Sequence, residues 1–157
     1  WGPREVGWAL AGMGFLGVLL QGGLAGRAAR VLGERVVLFI GLASFAAGFA
    51  GLAVAETAET AVVALAAFAL GAGLSAPALN SLIAAQARAQ DRGAVMGVSQ
   101  SASAFGRVIG PLLGGPAFQW SGEAAPFVVG LLVILIALAA ALGEPQREAA
   151  DQSEAST

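Results

Sequence analysis

The sequence contains no cysteine, no histidine and no lysine. Without cysteine no disulfide can form. Without cysteine and histidine the usual soft and imidazole metal sites are excluded. Charge is scarce as well: 11% of residues are charged, against about 25% in an average soluble domain. All eight basic residues are arginine and the net charge is -2. What fills the space is apolar: 57% of the 157 residues are hydrophobic and the mean hydropathy is +0.79. A chain of this length has too little interior to hide that much apolar side chain from water, so lipid is its expected solvent.

Five apolar runs stand out: Val6 to Ala25, Val36 to Ala55, Ala61 to about Ala85, Ala94 to about Phe118, and Ala124 to Leu142. Each is close to the roughly 20 residues that carry a helix across a bilayer. Helix is preferred to strand because the runs are long and do not alternate, and because a helix satisfies its own backbone in lipid. The expected fold is all-α and membrane-integral, a bundle of five transmembrane helices over residues 1–142. The remainder, Gly143 to Thr157 (GEPQREAADQSEAST), is polar without an apolar period and reads as a disordered tail. The chain opens on Trp1 with no secretory signal, so a fragment of a longer protein is expected.

The arginines orient the bundle. GRAARVLGER holds Arg27, Arg30 and Arg35, and QARAQDR holds Arg88 and Arg92. The alternate loops carry Glu56, Glu59 and Glu123 and no basic residue. By the positive-inside rule the arginine loops are cytoplasmic, the amino end is outside and the carboxyl tail is inside. Trp1, Trp8 and Trp120 then fall at the outer interface, where an aromatic belt sits. The expected location is a bacterial plasma membrane, with the lipid bilayer as one partner.

Polarity sorts the helices. The second run has only Ser44 and the fifth nothing polar after Pro126, whereas the third carries Ser75, Asn80 and Ser81. The fourth carries Ser99, Gln100, Ser101, Ser103 and Arg107. Polar side chains at membrane depth face protein or a water-filled cavity. The second and fifth helices are therefore expected outside, and the first, third and fourth inside. Gln100, Ser103 and Arg107 are spaced by three and four and share a face. Asn80 joins them as a candidate lining of a transport path. Beside them Gly106, Gly110 and Gly114 form a double GxxxG stripe suited to close helix packing. Pro111 and Pro77 each remove a backbone bond and are expected to bend the fourth and third helices. An arginine at mid-membrane costs about 2.5–3.5 kcal/mol, and no carboxylate lies inside any of the runs. Two readings stay open for Arg107: a structural residue bonded to carbonyls, or a residue facing a site.

Two stretches resemble the major facilitator superfamily of secondary transporters. VGWALAGMGFLGVLLQGGLAGRAARVLGERVVLFIG, Val6 to Gly41, resembles helix 8, the basic loop and helix 9 of drug-efflux members, including the tetracycline-efflux type. LGAGLSAPALNSLIAAQARAQDRGAVMGVSQSASAFGRVIGPLLGG, Leu70 to Gly115, resembles helices 10 and 11, and AAPFVVGLLVILIALAAAL looks like helix 12. The chain would be the carboxyl-terminal part of a six-helix half, with helix 7 and the amino-terminal half missing. The spacing Gly97, Gly106, Gly110-Pro111, Gly114-Gly115 is similar to the family's antiporter motif of helix 5, here as its pseudo-symmetric echo in helix 11. A second registration, on helices 2 to 6, has the same topology. Two features argue against it: Gly26 stands where that loop has an aspartate, and VVALAAFALG lacks the arginine of helix 4.

The resemblance implies alternating access of two halves around a central site. It also implies a cytoplasmic loop latch, matched here by Gly23, Arg27, Arg30, Gly33 and Arg35. The expected activity is efflux of a small apolar or amphipathic solute, with the missing half as a further partner. A non-transporting scaffold or degenerate half-transporter is the alternative. An enzyme is not expected, because no histidine, cysteine or intramembrane carboxylate is present to move a proton. No cofactor, metal or nucleic acid is expected either.

Overall fold

A computed structural model of the chain describes residues 25–154, with side chains up to residue 143, and before these residues 2, 4, 7, 8, 11, 12, 14, 15, 17 and 23. The first apolar run, Val6 to Ala25, therefore lies almost wholly outside the described residues. Five helices follow, which we number in chain order: α1 Ala25–Leu32, α2 Glu34–Ala53, α3 Ala58–Gln86, α4 Arg92–Ser121 and α5 Ala125–Glu154. Among the described residues helices joined by short connections are the regular structure and no strand occurs, as a membrane bundle requires.

Short connections make successive long helices antiparallel. Gly33 separates α1 from α2 with φ of 87°, a left-handed value that glycine adopts without strain. Gly122, also at 87°, closes α4 before α5. Thr57 caps α3: its side chain accepts from the Thr60 backbone N–H at 3.2 Å, and the Thr60 hydroxyl oxygen accepts from the Thr57 N–H at 3.2 Å. Both orphan donors at that helix start are thereby satisfied.

α2 and α3 form the tightest pair, and glycine is the reason. A Cβ built on Gly41 would lie 2.8 Å from the Ser75 backbone nitrogen, and one on Gly48 2.6 Å from that of Phe68. From the other side, a Cβ on Gly71 would lie 2.5 Å from the Phe45 nitrogen. In lipid there is no hydrophobic drive between helices, so such close van der Waals approach is what holds them together. The space opened by the glycines is filled by phenylalanine. Phe45 and Phe68 stack with ring centroids 4.6 Å apart, and Phe49 meets Phe68 edge-on at 5.2 Å. Gly130 of α5 sits directly against the Phe49 ring, which ties α5 to the same centre.

Among the described residues three helices are long and apolar enough to cross a membrane on length and composition: Glu34–Ala53, Ala58–Gln86 and Ala125–Gly143. α4 has the length, 30 residues, or about 45 Å. Its serines, Gln100 and Arg107 hold it below the hydropathy of the others. Like the described part of α5, α4 has no buried residue, whereas α2 and α3 bury several.

The second helix was sorted to the outside by its lack of polar residues, yet it contributes the buried Val37, Leu38, Gly41 and Gly48 and packs against α1, α3 and α5. It is two-faced: Val36, Ile40, Ala43, Ala47 and Val54 form an exposed apolar stripe at helical spacing. Apolar content alone cannot separate a lipid face from a glycine-cut packing face. The α5 backbone is described as helix to Glu154, into the Gly143 to Thr157 stretch that the sequence reads as a disordered tail.

Candidate functional site

The antiparallel order gathers the charges at opposite ends. Arg27, Arg30, Arg35, Arg88 and Arg92 lie on α1, at the start of α2, in the connection after α3 and at the start of α4, which is one end of the bundle. Glu56, Glu59 and Glu123 lie at the other, together with the exposed Trp120. Arg107 is the exception. It stands halfway along α4, and its side chain is exposed.

Gln100, Ser103 and Arg107 do share one face of α4, and all three are exposed within this chain. The serines make few demands on their surroundings. The Ser103 hydroxyl donates to the Ser99 carbonyl at 3.0 Å and that of Ser101 to the Gly97 carbonyl at 2.9 Å, so each is satisfied by its own helix. Pro111 adds polarity at the arginine itself. It has no N–H to give to the carbonyl four residues earlier, and that carbonyl belongs to Arg107. The guanidinium and an acceptor freed from the helix ladder thus occur at one residue at mid-height. This second feature was readable from the spacing of Arg107 and Pro111, and sequence reasoning passed over it. Pro116 likewise stands inside α4 without interrupting it.

Among the described residues the glycine stripe of α4 packs on almost nothing. A Cβ added at Gly97, Gly106, Gly110 or Gly115 would meet no atom within 4 Å, and one at Gly114 would meet only Pro126 Cβ at 3.9 Å. The glycines that do make close contact are those of α2 and α3, together with Gly130. Between α3 and α4 lies a groove of about 510 Å³, lined by Leu79, Ile83, Val95, Val98, Ser99, Ala102 and Ser103. Asn80 is half-buried on α3 and is not part of that lining, so the structure brings Ser103, but not Asn80, to this groove.

At the arginine end, α1 lies on α2 and α3 through its alanines. Ala25 is buried, and Ala28 and Ala29 pack on a cluster of Val37, Leu38 and Ala78. Arg27, Arg30 and Arg35 are left exposed, Gly23 is half-buried, and Gly33 is the exposed turn between them. Beneath α1 is a cavity of about 310 Å³ whose lining includes Arg30, Glu34, Val37, Pro77, Ala78 and Ser81. Pro77 lies inside α3, which continues past it as one helix, with Ser81 one turn further on. The Ser81 hydroxyl donates to the Glu34 carboxylate across this cavity. Glu34 was not among the residues singled out from the sequence. Its signal was its place immediately after Gly33, in the first turn of α2, where a helix favours a negative charge.

Comparisons with known proteins come to the same place. A family model, the Major Facilitator Superfamily, matches residues 1–157. The chain is 32% identical over 132 residues to the class D tetracycline resistance protein of Salmonella ordonez, covering 84% of this chain and 33% of the relative. It is 31% identical over 113 residues to the class B tetracycline resistance protein of Escherichia coli, covering 72% of this chain and 28% of the relative. The class C protein of Escherichia coli is 28% identical over 145 residues, 89% of this chain and 36% of the relative. The chain thus spans about a third of the length of the curated relatives it matches. No solved structure matches it.

Proposed function

Because the chain belongs to the Major Facilitator Superfamily, and so with membrane transporters rather than enzymes, we propose that it is part of a secondary transporter exporting a small apolar or amphipathic solute. Export proceeds by alternating access of two halves, of which this chain supplies most of the carboxyl-terminal one. The observation that carries the reading is the face of α4. Gln100, Ser103, Arg107 and the open glycines lie together on a helix with no buried residue. A polar, glycine-rich helix face costs too much in lipid to be left there. It fits a water-filled path and the missing half of the protein. Arg107 in this reading binds a polar or anionic group of the solute, or an acid of the other half. Gln100 and Ser103 line the route toward the arginine end, and Asn80, which stands outside the groove beside Ser103 in this chain, would join them only through the other half of the protein.

The arginine end is cytoplasmic in this reading, the amino end of the fragment is outside, and the membrane is the bacterial inner membrane. Arg27, Arg30 and Arg35, held between Gly23 and the Gly33 turn, latch one state of the transporter. Gly97, Gly106, Gly110, Pro111, Gly114, Gly115 and Pro77 shape the helices that move.

The test is accumulation of tetracycline, the compound in the names of the matched relatives, in cells expressing the full-length protein. Lower accumulation that is lost when a protonophore collapses the proton gradient supports export by a secondary transporter. Unchanged accumulation of tetracycline and of a panel of amphipathic dyes, with the protein present in the membrane, rejects it.

A further inference from the structure

Glu34 is the one charged side chain among the described residues that is not exposed. It lines the partly open cavity beneath α1, and its carboxylate accepts a hydrogen bond from Ser81, 47 positions away in the chain. The two residues belong to different structural units. Glu34 follows the Gly33 turn at the start of α2, and that turn carries the short helix α1 with Arg27 and Arg30. Ser81 is near the end of α3, on the segment beyond Pro77. Among the described residues α1 itself packs through small apolar side chains: Ala28 and Ala29 lie on Val37, Leu38 and Ala78, and Ala25 is buried. Alanine contacts are individually weak. A bond to a charged acceptor is stronger than a neutral one, and is directional.

We propose that Glu34 is a positioning residue: docked on the Ser81 hydroxyl, it fixes the Gly33 turn and seats the arginine-bearing α1 on the end of α3. Two placements support this role. The carboxylate is stabilised where it stands by the start of α2. The donor lies on the segment of α3 that Pro77 partly uncouples from the rest of the helix, because the Gly73 carbonyl has lost its bond. A shift of that segment is therefore passed to α1 through one side-chain pair. The inference rests on the reading of the arginines as a latch for its consequence in transport, but the placement itself does not depend on it.

The experiment uses the full-length protein in native membranes with cysteines introduced at Ala29 and Ala78, which line the same cavity from α1 and α3. The rate of linkage by a short bifunctional thiol reagent reports how closely α1 is seated. Glu34→Ala and Ser81→Ala each lower that rate, by about ten- to a hundredfold for loss of a bond to a charged group. Glu34→Gln, whose carbonyl still accepts, and Ser81→Thr, which still donates, restore it. The double alanine variant is no worse than either single one, since both remove one interaction. Ser81→Ala is a small apolar change within a helix and keeps the test open if Glu34→Ala fails to insert. Unchanged linkage in Ser81→Ala, or additive losses in the double variant, overturns the proposal. Linkage is measured without solute, so its failure is separate from a failure of the arginines to act in transport.

Discussion

Gly48 of α2 lies so close to Phe68 of α3 that a Cβ on the glycine would stand 2.6 Å from the Phe68 backbone nitrogen. Gly71 repeats the relationship in reverse against Phe45, at 2.5 Å. Each helix offers a glycine where the other brings a phenylalanine, and the rings then stack on one another. This exchange holds the described bundle together. Backbone is the obstacle at both positions, so no rotamer change relieves a substitution. Gly48→Ala or Gly71→Ala is expected to destabilise the full-length protein by about 1–3 kcal/mol, the usual cost of overpacking. Thermal unfolding in detergent measures it. A variant of either kind with unchanged stability contradicts the packing described.

The open glycines of α4 make the opposite case. A Cβ at Gly110 would meet nothing within 4 Å among the described residues. If that face packs on the rest of the protein, Gly110→Leu lowers transport and stability in the full-length protein. If the face looks onto lipid, the larger side chain is harmless. Transport and unfolding measurements on one variant decide between them.

Arg107 is expected to serve transport rather than folding. It is exposed within this chain, so removing it leaves no buried partner stranded. Arg107→Ala also relieves an insertion cost of about 2.5–3.5 kcal/mol. Both Arg107→Ala and Arg107→Lys are expected to reach the membrane at normal levels. Transport falls in both and falls further in Ala, because Lys keeps the charge but lacks the planar fork of donors. Full transport by well-expressed Arg107→Ala refutes the role.

The loop arginines separate two roles cleanly. Arg27, Arg30 and Arg35 are exposed, so replacing all three with glutamine changes charge with little change in packing. A latch predicts altered transport with normal insertion. A purely topological role predicts a change of orientation, or none in transport. Accessibility of a tag at the carboxyl end, read beside uptake, distinguishes the two.

Cysteine scanning along α2 should find one face, not a whole helix, in lipid. Cysteines at Val36, Ile40, Ala43 and Ala47 are expected to resist water-soluble thiol reagents and to react with a lipid-soluble one. All four positions are exposed within the chain and lie on one stripe. Labelling of that stripe from water, at positions away from the helix ends, places it against a cavity instead.

What the sequence determined by itself was the solvent, the number of apolar runs, the helical class and the family. These follow from composition and period, which act over short lengths of chain and need no knowledge of neighbours. The arginines sort to one end for the same reason, because alternation of antiparallel spans is a counting result. The shared face of Gln100, Ser103 and Arg107 is likewise fixed by helical spacing. Only the tertiary structure decided which glycines are used. GxxxG spacing in α4 and the looser set of Gly41, Gly48 and Gly71 all permit close approach. Which of them gets a partner depends on the helix that arrives there, and α3 arrives at α2. Glu34 belongs to the same class. A carboxylate beside two arginines in a polar loop reads as surface charge. It becomes a contact only when folding brings Ser81, distant in sequence, across the cavity to meet it.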